Sequence, residues 1–187
     1  PVQIENLGVA DDGATWFAVV EIDSGCNPEA EYSLSVVEQT ASRSTEREPN
    51  DSAARATPIL DGEVLSGSLD ASGDVDWYRV QVEEPCHARV ELSGVEQVDH
   101  RLAAYATPES RLRGVYEGRD KEPEVLTNVF LRPGTAYLEV AARKGHANPD
   151  GRYEIRLTLE ADTGLEELEP NDDTASATPI ALEQTLR

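Results

Sequence analysis

From Glu63 onward the apolar residues fall at every second position in short runs. Tyr78, Val80 and Val82 form one such set, and Ala88, Val90 and Leu92 another. Leu138, Val140 and Ala142 form a third, and Tyr153, Ile155, Leu157 and Leu159 a fourth. Side chains alternate between the faces of a β-strand, so this period of two marks strands with one buried and one wet face. The runs are bounded by turn-forming residues at Ala71–Gly73, Arg132–Gly134 and Asn148–Gly151. The pattern predicts strands near 63–69, 75–83, 87–95, 101–106, 111–117, 124–131, 135–142 and 152–160. Short strands in that number predict an all-β, antiparallel β-sandwich with one thin core. Helix is expected only as a turn around Ser52–Ala56, which Asn50 or Asp51 can cap and Pro58 stops.

A second pattern has a much longer period. Residues 46–59, EREPNDSAARATPI, return at 167–180 as ELEPNDDTASATPI, with 10 identities in 14 positions at an offset of 121. At the same offset Gly13, Val19, Asn27, Pro28 and Tyr32 fall on Gly134, Val140, Asn148, Pro149 and Tyr153. Trp16 falls on Tyr137 and Leu34 on Ile155. A period of this length is a domain rather than a solenoid turn, so tandem repeats of about 121 residues are expected as beads on a string. The 187 residues then divide into the C-terminal part of one repeat (1–40), a complete repeat with an acidic N-terminal linker (41–161), and the linker and start of a third (162–187).

Asp and Glu number 37 against 16 Lys and Arg, a formal charge of −21. Such a surface repels nucleic acid and anionic membrane and favours cations or basic surfaces, besides keeping an extracellular protein soluble. No apolar run approaches the roughly 20 residues of a membrane span. The chain opens on Pro1 with neither an initiator Met nor a basic-then-apolar leader, which reads as a processing boundary. Cys26 and Cys86 occupy non-equivalent repeat positions. They allow one bridge between units or two free buried thiols, and no CxxC pair suggests zinc or thiol exchange.

Candidate chemistry lies in the acidic linker. Glu46, Glu48 and Asn50 alternate, so in an extended chain their oxygens point the same way, and Asp51 follows directly. Asp74 and Asp76 repeat the i, i+2 spacing at the mouth of a strand. Five carboxylates drawn together without a counterion would repel, whereas a hard dication takes roughly six to eight oxygens at about 2.3–2.6 Å. Calcium is the economical resolution. A solvated acidic linker is the bland alternative, but its recurrence at Glu167, Glu169, Asn171 and Asp172 speaks for a second, partial site. Pro49 and Pro170 restrict the backbone beside these residues.

Taken in order, EPNDSAARATPI, VLSGSL, GDVDWYRV, LRPGTAYLEV and GRYEIRLTL resemble the bacterial pre-peptidase C-terminal (PPC) domain. That module is similar to the collagen-binding domains of clostridial collagenases. The resemblance spans about 46–160 and implies a jelly-roll-like sandwich, export from a bacterial cell to the medium or the cell surface, and a calcium site joining linker to first strands. Carried over by position, that site uses Glu46, Glu48, Asn50, Asp51, Asp74 and Asp76, with Asp70 an alternative to Asp74.

These features imply a non-catalytic, calcium-stabilised spacer in a larger secreted or surface protein, with neighbouring repeats as its partners. The rival is an adhesion module for a collagen-like protein, a polysaccharide or another extracellular partner, accessory to a secreted peptidase. For that reading the candidate ligand face is Trp77, Tyr105 and Tyr116, while Tyr78, Tyr137 and Tyr153 read as packing. An enzyme is disfavoured, because the chain has no GxSxG or HExxH and only His87, His100 and His146 as histidines. Cys86 and His87 are adjacent and so point to opposite faces, which predicts a core Cys beside an exposed His.

Overall fold

The computed structural model describes residues 17–21, 25, 31–37, 43–116, 119, 121–165, 167–168, 171, 174–175, 177–182 and 185. Among the described residues nine strands carry the fold: β1 (Thr57–Pro58), β2 (Val64–Gly67), β3 (Val75–Val82), β4 (Cys86–Leu92), β5 (His100–Thr107), β6 (Ser110–Val115), β7 (Glu124–Leu131), β8 (Gly134–Ala142) and β9 (Tyr153–Ala161). They form a five-stranded sheet in the order β1-β3-β8-β5-β6 and a four-stranded sheet in the order β2-β9-β4-β7. Every pairing is antiparallel except the two-residue β1, which runs parallel to β3. The result is the expected sandwich. β1 has no counterpart in the hydrophobic pattern, since two residues cannot display a period. The expected helical turn is a single 3₁₀ turn at Ala53–Arg55, with Ser52 rather than Asn50 or Asp51 at its N-cap and no side-chain capping bond.

The core lies between the sheets and is built from the in-phase residues. Tyr78, Val80, Val90, Leu92, Leu102, Leu138, Val140, Tyr153, Ile155 and Leu157 are all essentially buried. On β3 the inward phase is occupied by Tyr78, Val80 and Val82 and, at its first position, by Asp76, a carboxylate where the pattern calls for an apolar residue. On β9 the phase Tyr153, Ile155, Leu157 likewise starts with a side chain that has a polar tip. The two polar groups therefore meet at one end of the sandwich.

Before Arg43, the described residues 17–21, 25 and 31–37 lie in no strand and are exposed. No helix of the described residues is long and apolar enough to cross a membrane. Cys86 is a free, buried thiol, and Cys26 lies outside the described residues. The expectation of an exposed His87 is corrected: the residue faces away from the core but is only 6% exposed. Its ring lies 5.4 Å from that of Phe130 on β7, and Asp162, just past β9, closes over it. Facing away from the core did not mean facing water here.

Candidate metal centre

The linker is held between the two sheets by main-chain hydrogen bonds. The Glu46 N–H donates to Ser66 O at 2.9 Å and the Ser66 N–H to Ser44 O at 2.8 Å, which adds the linker to the edge of β2. Four residues on, the Trp77 N–H donates to Asn50 O at 3.0 Å, tying the linker to β3. Thr57 closes the loop, its Oγ1 accepting the Arg47 N–H at 3.0 Å. The Glu48–Pro49 peptide is cis. Between β2 and β3 the chain turns through Gly73, whose φ of +88° suits a residue without a Cβ. That turn brings Asp74 and Asp76 to the linker.

Oxygens of Glu46, Glu48 and Asp76 converge, all within 4.8 Å of one another. Glu46 is the organiser. Its Oε1 accepts the Ser68 N–H at 2.7 Å, and its Oε2 lies 3.2 Å from Asn50 Nδ2, 3.0 Å from the Tyr78 hydroxyl and 3.1 Å from the Tyr153 hydroxyl. Tyr153 also reaches Asp76 Oδ2 at 2.5 Å, and the two phenolic oxygens are 2.7 Å apart. Two phenols bring two protons to four oxygen–oxygen contacts. With both carboxylates ionised the network is short of protons, so it favours a carboxyl that keeps its own.

Burial works in the same direction. It raises Glu46 above the usual carboxylate range against the hydrogen bonds it receives. Burial, then the charge of Glu46, pushes Glu48 up to about 7 and Asp76 well above its ordinary value. Asp74 is raised chiefly by desolvation, although its Oδ2 accepts the Asp70 N–H at 2.6 Å. Desolvation also holds Tyr78 and Tyr153 well above the ordinary phenol range, so both stay protonated donors.

Three buried oxygens here have no hydrogen-bond partner: Glu48 Oε1, Asn50 Oδ1 and Asp76 Oδ1. Leaving a buried acceptor unmet costs on the order of 1–3 kcal/mol, more when it is charged. Two of these oxygens come from the linker and one from β3, and each is of the hard type a divalent cation takes. The donor set therefore fits a metal ion. Asp51 is exposed at the rim, its charge raising Glu48 and Asp74. Asp70 contributes its main-chain N–H to Asp74.

Sequence reasoning missed Tyr78, Tyr153 and Gly67. The tyrosines sit in the core phase, and only their hydroxyls reveal the second role. A Cβ built on Gly67 would lie 2.4 Å from the Tyr153 hydroxyl and 2.6 Å from Glu46 Oε2, so a side chain there would invade the site.

In the second linker, Asn171 Nδ2 donates to Glu167 Oε2 at 3.2 Å and the Leu168 N–H to Thr178 Oγ1 at 2.8 Å. These bonds match Asn50 to Glu46 and Arg47 to Thr57. Glu169 and Asp172 lie outside the described residues.

On the outer face of the five-stranded sheet, Trp77 packs against Tyr105 at 5.1 Å and against Tyr137 at 6.2 Å between ring centroids. All three rings are half-buried. Tyr116 is exposed elsewhere, with the Arg143 guanidinium 5.3 Å above its ring.

No protein-family model matches the chain. Among solved structures it is similar to the pre-peptidase C-terminal domain of a collagenase from Bacillus anthracis. The likeness has a TM-score of 0.43 and 17% identity, over 55% of this chain and 94% of that one. That domain is of the kind the sequence motifs resemble.

Proposed function

We propose that this chain is a non-catalytic, calcium-stabilised structural repeat of a larger secreted or surface bacterial protein. Residues 41–161 are its complete domain, flanked by the end of one repeat (1–40) and the start of another (162–187). The observation that carries the reading is the trio of buried, unpartnered oxygens on Glu48, Asn50 and Asp76. Glu46, Asp51 and Asp74 complete the ligand set. When bound, calcium supplies positive charge and oxygen coordination that the buried carboxylates otherwise lack. The protein's part is to bring linker and β3 oxygens together, with Tyr78 and Tyr153 orienting Glu46 and Asp76. Calcium binding therefore adds to folding stability and fixes the linker, and with it the angle to the preceding repeat. Millimolar extracellular calcium would fill even a modest site.

Calorimetric titration of the full chain with calcium tests this. Asn50→Ala removes one free donor and should weaken binding strongly, whereas Asn171→Ala, in a linker whose Glu167 is exposed, should leave the main site unchanged. Equal effects of the two substitutions, or no calcium binding at all, would refute the assignment.

The cluster of Trp77, Tyr105 and Tyr137 favours a second reading, an adhesion surface for a polysaccharide or a fibrous extracellular protein. Under it, Trp77→Ala abolishes retention on the immobilised ligand while the calcium response persists. Unchanged retention of the variant would count against this face.

A further inference from the structure

A second cluster lies on the opposite side of the molecule, on the outer face of the four-stranded sheet. His87 on β4 stands directly across from Glu160 on β9 and Phe130 on β7. Neither ring nitrogen of this buried imidazole has a hydrogen-bond partner. Asp162 Oδ1 lies 3.5 Å from Nε2 without forming a hydrogen bond to it, and the same oxygen accepts the Gly164 N–H at 2.8 Å, which fixes the carboxylate. Beside the ring opens a cleft of about 170 Å³, lined by Arg89, Thr127, Asn128 and Glu160 as well as His87. Arg89, which lines this cleft, is turned to Glu91 at 2.8 Å.

Two ligand atoms on a tetrahedral zinc, each bonded at about 2.0–2.1 Å, stand roughly 3.3 Å apart. The Nε2 to Oδ1 separation of 3.5 Å is close to that spacing and is a poor hydrogen bond. Imidazole with carboxylate suits a borderline transition-metal dication rather than calcium, which prefers oxygen alone. Glu160 is exposed on the same face, directly across from His87, so completing the site requires its carboxylate to turn toward the ring.

We propose that His87, Asp162 and Glu160 form a second metal site, for zinc or a cation of its class, where the chain leaves the sandwich. Occupied, it would pin Asp162, and so the start of the segment leading to the next linker, to β4. The site is independent of the calcium reading, because it shares no residue with the cluster around Asp76.

The test is a zinc chloride titration of the full chain in saturating calcium, followed through the histidine ring signals by NMR. His87 should respond before the exposed His146. Glu160→Gln and Asp162→Asn should each weaken the response by about tenfold or more, since losing even an outer partner of a metal ligand costs about that much. His87→Asn should abolish it while retaining the calcium-dependent melting shift. A His87 signal that stays unmoved in excess zinc overturns the proposal. So does a Glu160→Gln protein that titrates like the parent, and that result stands even if His87→Asn fails to fold, since Glu160 is exposed.

Discussion

Tyr153 Oη on the last strand lies 2.5 Å from Asp76 Oδ2 at the start of β3, joining positions 77 residues apart. Both residues occupy inward positions, so the bond is made at the inner edge of the sandwich core. It couples closure of the β-fold to the orientation of a proposed metal ligand.

Tyr153→Phe keeps the ring and removes the hydroxyl. It should lower calcium affinity by about 10–100-fold, the range found when an outer partner of a metal ligand is lost. Titration calorimetry reads this directly, and an unchanged affinity would leave Tyr153 with a packing role alone.

Gly67→Ala places a methyl group against Tyr153 and Glu46. Overpacking of this kind costs about 1–3 kcal/mol, and the displaced Glu46 should weaken calcium binding as well. Urea unfolding with and without calcium separates the two effects.

The pH dependence should reverse with the metal. Without calcium, Glu46 and Asp76 are raised above the usual carboxylate range and Glu48 lies near 7, so the fold holds protons the unfolded chain would release. Unfolding free energy then rises as pH falls from 8 toward 6.5. Below about 6.5, buried His100 begins to oppose the gain, because its pKa of about 4 keeps it neutral in the fold while the unfolded chain takes up a proton. With calcium present, protons compete with the metal for the same carboxylates, so stability falls over the window in which the metal-free protein gains it. Urea midpoints at pH 8 and 6.5, with and without calcium, give the two slopes.

Much of the fold was legible because its core is written in period two. β3, β7 and β8 lie within a residue of the alternating runs, whereas β1 is too short to carry any pattern. The site was legible in part. The i, i+2 spacing of Glu46 and Glu48 agrees with the approach of their oxygens, and the Asp74–Asp76 pair at the mouth of a strand supplied Asp76, the third carboxylate of the group. The same spacing could not rank Glu46 against Asp51. One is 2% exposed and hydrogen-bonded from several sides and the other lies at the rim, a difference set by where the linker docks on β2. Nor could it find the tyrosine hydroxyls, since a core tyrosine and a site tyrosine look alike in a hydrophobic pattern. His87 was misread for the converse reason. Alternation says which way a side chain points, but Phe130 and Asp162 decide what covers it.

Thermal melting of the full chain in excess calcium and then in chelator, beside the Asp76→Ala protein, tests the central claim most directly. If free calcium stands about a hundredfold above the dissociation constant, binding adds about 2.7 kcal/mol, which raises the midpoint by roughly 10 °C. The account predicts that shift in the parent protein and its absence in the Asp76→Ala protein. Superimposed melting curves for the parent in calcium and in chelator would contradict it.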